Sequence, residues 1–320
     1  MQFAFVFPGQ GSQYVGMGKA LSDISADAAD VFGRADRALG EPISALAFDG
    51  PAEELDQTVN AQPAMLATSI AYLRALTSVA DLPRPMFIAG HSMGQYSAMV
   101  AAGVLSLEDG VRLVRERGRQ MQASASDGSM AAVIGLPDDR LGELETAGRA
   151  LGVFTIANRN SPGQVVVSGE RPAVEGAAEK AKELGAKRAI VLPVSVAAHS
   201  PLMNRAADGM RRVLETVEFR DPSALLLANA DARPLTTGEE CRAELVDHLT
   251  RGVDWIAAVE AMSAAGVRLF VEVGPGRVLT GLIKRITADG DAFALDDQSE
   301  PGRLAIPDSL VTHTGAGAAT

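Results

Sequence analysis

Met86-Phe87-Ile88-Ala89-Gly90-His91-Ser92-Met93-Gly94 is a short apolar run that breaks into a glycine-flanked serine. Four apolar residues bounded by a turn signal read as a buried strand, and the chain beyond Gly94 reads as a helix through Tyr96, Met99, Val100 and Leu105. Strand, sharp turn, helix is the setting in which a G-x-S-x-G pentapeptide becomes a nucleophile elbow. Glycines stand where bulk would clash, the serine oxygen is lifted clear of the sheet, and the next amide, Met93 N–H, is left at a helix amino terminus to receive an oxyanion. The bland reading of the same five residues is an ordinary turn with a capping serine.

The rest of the chain alternates in the same way. Phe3–Phe7 reads as a buried strand ending at Pro8-Gly9, followed by helix to about residue 40 and again from Pro63 to about Val79. Glu108–Met121 is a further helix, and Ser124–Ser129 is a polar break. After it the pattern changes: strand Met130–Leu136, helix Asp138–Leu151, strands Val153–Asn158 and Gln164–Ser168, helix Pro172–Leu184, strand Arg188–Val196. That β-α-β-β-α-β order is the split-βαβ or ferredoxin-like arrangement. The first unit then resumes, with a helix opening at Ser200-Pro201, strands Leu225–Asn229 and Leu269–Val273, a helix over Glu239–Leu249, and a last helix Val278–Ile286. The expected division is an α/β core of residues 1–126 and 199–290, an inserted subdomain of residues 127–198, and a mostly disordered tail over 291–320.

Composition narrows the function. The chain has 320 residues, 47% of them hydrophobic, enough for a sizeable core. Its 40 acidic residues outnumber 29 basic ones for a formal charge of −11, and no Lys/Arg run offers a footprint for nucleic acid. The single cysteine, Cys241, excludes an intrachain disulfide and a cysteine-rich metal site. No apolar stretch reaches the ~18 residues that span a bilayer. The amino terminus has no basic n-region and meets Pro8 too early for a signal peptide, so a cytoplasmic protein is expected. No His/Asp/Glu cluster has metal spacing, and neither Pro8–Gln13 nor Gly274-Pro275-Gly276 completes a nucleotide-binding loop.

A serine nucleophile needs a base. Of four histidines, His313 falls in the tail, and His91 is expected on the far side of the turn from Ser92. His199 lies on a loop at a strand's carboxyl end, where open α/β sheets bind ligands; the alternative is a helix-flanking polar residue. His248, inside a predicted helix, reads as structural. On the helix Glu108–Met121, Arg112, Arg115 and Arg119 share a solvated face, whereas Arg117 points between Leu113, Val114 and Met121. An arginine on an apolar face needs an anionic partner, either one of the protein's own carboxylates or a carboxylate on the substrate.

Six motifs stand in order along the chain: Phe-Pro-Gly-Gln-Gly-Ser-Gln at 7–13, Gly-His-Ser-Met-Gly at 90–94, Arg-Glu-Arg-Gly-Arg at 115–119, Asn-Arg-Asn-Ser-Pro-Gly-Gln at 158–164, Ser-Val-Ala-Ala-His-Ser at 195–200 and Glu-Val-Gly-Pro-Gly at 272–276. With them the chain resembles, over about residues 1–290, the malonyl-CoA:acyl carrier protein transacylases of fatty-acid synthesis and the free-standing acyltransferases of polyketide pathways. The resemblance implies an α/β-hydrolase-like core with a parallel sheet, an inserted ferredoxin-like subdomain and an active site between them. It implies Ser92 as nucleophile, His199 as general base, the backbone amides of Gln10 and Met93 as oxyanion hole, Arg117 as the grip on a malonyl carboxylate, and Asn160 near the acyl group. It implies ping-pong transfer from malonyl-CoA to the phosphopantetheine thiol of an acyl carrier protein, by a monomer with no bound cofactor. The chain departs from the family at His248, where glutamine is usual and whose carbonyl orients the histidine base. It departs also at Ala198, where many malonyl-selective members carry Phe, and at Met93 in place of Leu. These positions bear on whether the acyl group is malonyl, methylmalonyl or an uncharged or aminoacyl unit. A serine esterase or thioesterase would show a late histidine and a His-Gly-Gly-Gly loop, and a non-catalytic carrier-protein module would not need Ser92, His199 and Arg117 together.

Overall fold

Every residue of the first strand, Phe3–Phe7 (β1), is buried. Phe3, Phe5 and Phe7 join one hydrophobic core, and Ala4 and Val6 join another on the opposite face. A strand covered on both faces reads as an unbroken apolar run, which is why β1 shows no alternation in sequence.

The computed structural model of the chain describes residues 2–124, 127–194, 196–296, 298–300, 302–307 and 310. Its further strands are β2 (Phe87–Gly90), β3 (Gly128–Ile134), β4 (Phe154–Ser161), β5 (Gln164–Glu170), β6 (Arg188–Val191), β7 (Leu225–Leu227), β8 (Pro234–Leu235), β9 (Val253–Asp254), β10 (Leu269–Glu272) and β11 (Asp291–Ala294). One sheet runs β11-β10-β1-β2-β7-β8, parallel except for the β7–β8 pair. The second runs β6-β3-β5-β4-β9, with its first four strands antiparallel and β9 added parallel to β4. The helices Leu141–Arg149 and Arg171–Glu183 bury Leu144, Val174 and Ala177 against Val133, Val165 and Val167 of that second sheet. The fold is mixed α/β, a parallel-stranded core beside a smaller antiparallel sheet. Among the described residues no helix is long and apolar enough to cross a membrane.

Several expectations are corrected. The helix placed from Pro63 runs Thr58–Val79. Pro63 cannot donate to the Val59 carbonyl, but packing sustains the turn: a Cβ on Gly118 would lie 2.7 Å from Val59 Cα, so two helices meet there backbone to backbone. Arg115 is not solvated with Arg112 and Arg119. Glu41 lies 2.9 Å from its Nη2, and its Nη1 donates to Asn60 Oδ1 at 2.7 Å, because a neighbouring loop and helix cover that part of the face. The strand expected to reach Val196 ends at Val191. The expectation of disorder from residue 291 fails at its start: β11 pairs in parallel with β10, and the Leu295 side chain is fully buried. Residues 311–320, His313 among them, lie outside the described residues.

Candidate active site

The elbow forms where β2 meets the helix Gly94–Ala101. Ser92 takes a left-handed backbone, φ +52°, which an L-residue adopts only when its surroundings impose it. The imposition is visible. A Cβ on Gly90 would sit 2.1 Å from the carbonyl carbon of Gly94, and one on Gly94 would sit 2.2 Å from Phe7 O. Only glycine fits at either place. Asn229, just past β7, straps the turn: its Oδ1 accepts from Ser92 N at 2.8 Å while its Nδ2 donates to Gly90 O at 3.0 Å. The Asn229 amide in turn donates to Glu244 Oε1 at 2.7 Å.

His199, also at positive φ (+60°), brings its ring against the serine. Its Nε2 is 2.8 Å from Ser92 Oγ, while its Nδ1 faces the carbonyl oxygens of His248 at 2.6 Å and Arg251 at 3.2 Å. Carbonyls only accept, so Nδ1 carries the proton and Nε2 is left free to accept from the Ser92 hydroxyl. Burial and the nearby Arg117 cation push the imidazolium down to a pKa of about 3. The ring is therefore neutral at any physiological pH, the state that a base requires.

Arg117 approaches from the helix Leu107–Ser124, only 2% exposed. Its Nη1 donates to Gln62 Oε1 at 2.9 Å and its Nη2 to Ser92 Oγ at 3.2 Å, and the guanidinium carbon lies 5.9 Å from the Tyr96 ring centroid. Among the described residues no carboxylate pairs with it, so burial lowers its pKa with only Tyr96 opposing. Of the two partners open to it from sequence, the internal carboxylate is not there.

The other predicted residues fall around this point. Asn160, near the end of β4, accepts on Oδ1 from His91 Nε2 at 2.8 Å, so His91 ties the elbow to the second sheet. Its ring also packs edge-on to Trp255, with centroids 5.7 Å apart. Gln10 and Met93 contribute amides that meet no acceptor among the described residues. The Met93 side chain is buried in the main core, and Ala198 is half-buried beside His199. His248 caps the helix Gly238–Asp247, and its buried ring packs edge-on to Tyr96 and His199 at 5.8 and 6.1 Å.

Gln62, Thr58, Tyr96 and Asn229 are absent from the sequence reading of the site. One of them carried a signal: Asn229 closely follows three leucines at the carboxyl end of a parallel strand, where such sheets place ligand-binding groups. No group of three His, Cys, Asp or Glu among the described residues could hold a metal ion.

A neutral imidazole and a buried cation thus converge on one hydroxyl oxygen, an arrangement able to acylate that oxygen with an anionic acyl group. Residues 4–305 match the family model of the acyl transferase domain. The malonyl CoA-acyl carrier protein transacylase of Escherichia coli (strain K12) is 45% identical over 303 residues, which is 93% of this chain and 97% of that protein. The crystal structure of an acyl-carrier-protein S-malonyltransferase from Bartonella henselae superposes with a TM-score of 0.90 at 44% identity, covering 93% of this chain and 96% of the other. A malonyl-transacylase in complex with a type II PKS acyl-carrier protein superposes at 0.89 with 41% identity, covering 93% and 97%. The chain belongs to the acyl transferase domain family, among the malonyl CoA-acyl carrier protein transacylases.

Proposed function

We propose that this protein moves a malonyl group from CoA to the phosphopantetheine thiol of an acyl carrier protein, through an ester on Ser92. The observation that carries the reading is the meeting at Ser92 Oγ of His199 Nε2 at 2.8 Å and Arg117 Nη2 at 3.2 Å, with no carboxylate on the cation among the described residues. Ser92 Oγ attacks the thioester carbonyl as its proton passes to His199 Nε2. The oxyanion that results is received by the free amides of Gln10 and Met93, the latter just before the Gly94–Ala101 helix. Collapse breaks the C–S bond, and His199 returns the proton to the departing CoA thiolate. In the second half the carrier thiol gives its proton to His199, attacks the ester, and Ser92 leaves with that proton. The same base serves both directions, so the kinetics are ping-pong and no bound cofactor is required.

The Arg117 guanidinium places the acyl carboxylate, and Asn160, fixed by His91, borders it. Because His199 Nδ1 is held by the His248 and Arg251 carbonyls, the side chain at 248 is free to differ from the family's glutamine while its backbone does the orienting. We place the enzyme in the cytoplasm.

Malonyl-CoA incubated with the protein should add about 86 Da, the mass of a malonyl group replacing one proton, at the nucleophile that acyl transfer requires. Holo acyl carrier protein should remove it. Ser92→Ala should abolish the adduct without loss of fold, and His199→Ala should slow it by roughly 100-fold or more, the contribution of a general base. An adduct on Ser92→Ala at the wild-type rate would remove Ser92 from the mechanism.

A further inference from the structure

A guanidinium only donates, so the Gln62 atom that Arg117 Nη1 meets at 2.9 Å has to be the carbonyl oxygen. That fixes the amide. Gln62 Nε2 then donates to Thr58 Oγ1 at 2.9 Å, with Met121 Sδ beside it at 3.7 Å. Thr58, having accepted from Gln62, gives its own proton to Gln10 Oε1 at 2.8 Å. Each bond sets the direction of the next, from a buried cation out to the exposed Gln10 loop. A second tether runs beside it: Gly11 N donates to Gln13 Oε1 at 2.7 Å, and Gln13 Nε2 to Asp56 Oδ1 at 2.9 Å. The helix bearing Arg117 is clamped at the same place, since a Cβ on Gly118 would lie 2.9 Å from Thr58 O.

The series contains no carboxylate. An arginine held by Asp or Glu would be neutralised where it stands, whereas one held by an amide oxygen is positioned with its charge intact for a ligand. The far end matters as much as the near one. Without an acceptor at Gln10, the Thr58 hydroxyl can turn its proton toward Gln62, whose amide must then flip and present N–H groups to the guanidinium.

We infer that Gln10, Thr58 and Gln62 form a directional hydrogen-bond relay that positions Arg117 through a neutral oxygen and thereby makes the site selective for acyl groups bearing a carboxylate. The inference rests on the malonyl-transfer reading above. Gln62 and Thr58 are positioning residues in it, acting through Arg117.

The test follows ester formation on the full chain by intact mass, with malonyl-CoA and acetyl-CoA in parallel. Gln62→Glu keeps the size and sets a carboxylate against Arg117; malonyl loading should fall about 100-fold or more while acetyl loading stays within about threefold or rises. Thr58→Val removes only the hydroxyl, and the malonyl-to-acetyl rate ratio should fall about tenfold, the size of one charge-assisted hydrogen bond. Thr58→Ser, which keeps the hydroxyl, should hold that ratio within about threefold of wild type. If the buried variants do not fold, Gln10→Leu cuts the relay at its exposed end and should lower the same ratio. A malonyl-to-acetyl ratio within about threefold of wild type in Thr58→Val, in Gln10→Leu or in Gln62→Glu overturns the relay and leaves the proposed function standing. A wild-type protein that takes up no malonyl overturns the proposed function itself.

Discussion

Arg117 is a cation with neutral neighbours: an amide oxygen, a hydroxyl and an aromatic face. A buried charge so placed is a standing cost to the fold that an anionic ligand relieves. Arg117→Ala should therefore lose malonyl transfer by roughly 2–4 kcal/mol, the scale of a truncated buried charge pair, while acetyl transfer changes little or rises. Its thermal midpoint should change little, because relief of the buried cation offsets the Gln62 Oε1 left without its donor. Equal losses for both acyl groups together with a lower midpoint would show that the cation supports the fold instead. This residue was legible in the sequence because helical periodicity alone sets it on an apolar face. Arg115 was not, since what covers it comes from Glu41 and Asn60, some 74 and 55 positions away in sequence, and a helical wheel sees only its own helix. The same holds for Gln62, whose partners Arg117 and Met121 lie on another helix.

At the scale of elements, the sequence marks what is periodic or punctuated and misses what is short. β1, β2 with its elbow, and the four antiparallel strands of the second sheet were all legible, because glycine and proline bound them and apolar runs fill them. β9 has two residues and β11 four, Asp-Ala-Phe-Ala, set in an acidic stretch without alternation. Neither could announce itself; β9 exists because the longer β4 offers it an edge, and β11 because β10, itself paired to β1, does so. β11 is followed by the feature that fastens it. Asp296 accepts from Tyr14 Oη at 2.8 Å, Tyr72 Oη at 2.7 Å and Gly276 N at 2.7 Å, gathering the first loop, a long helix and the Gly-Pro-Gly turn onto one side chain. Asp296→Ala would take the shared carboxylate acceptor from all three donors. It should lower unfolding stability by about 3 kcal/mol, the upper range for hydrogen bonds to a charged group, as read by a denaturant midpoint. A change under about 0.5 kcal/mol, the range of an ordinary surface substitution, would mean that the segment does not tie the fold together.

Over the whole molecule the net charge of −11 gives an acidic carrier protein no long-range attraction, so recognition has to be local. Lys284 and Arg285, exposed on the helix Val278–Ile286, stand where Arg285 Nη1 reaches Gln164 Oε1 at 2.9 Å, at the border of the two sheets; Arg205 is exposed close after His199. Reversing these charges should raise the KM for carrier protein and leave hydrolysis of the malonyl ester unchanged. The pH dependence of stability follows from groups buried in unusual states. His91, His199 and His248 are held below the ordinary histidine range, chiefly by burial, so they stay neutral in the folded chain and take up protons on unfolding as pH falls through about 6.5. Glu244 and Glu272 are pushed up to about 7, again by burial, so they hold protons when folded that the unfolded chain releases above about pH 4.5. Between these limits the unfolded chain takes up histidine protons while the folded chain holds two carboxyl protons, so the two sets oppose each other. Stability should then fall only gently as pH falls. Below about pH 4.5 the unfolded carboxylates are protonated too, their opposition disappears, and the fall should become steeper. His248→Gln tests this balance, because its ring makes no hydrogen bond among the described residues and glutamine takes no proton. The variant's denaturant midpoint should vary less between pH 6.5 and 4.5 than the wild type's, with the steep acid limb kept. A slope there equal to that of the wild type would mean that His248 is not buried in its neutral form.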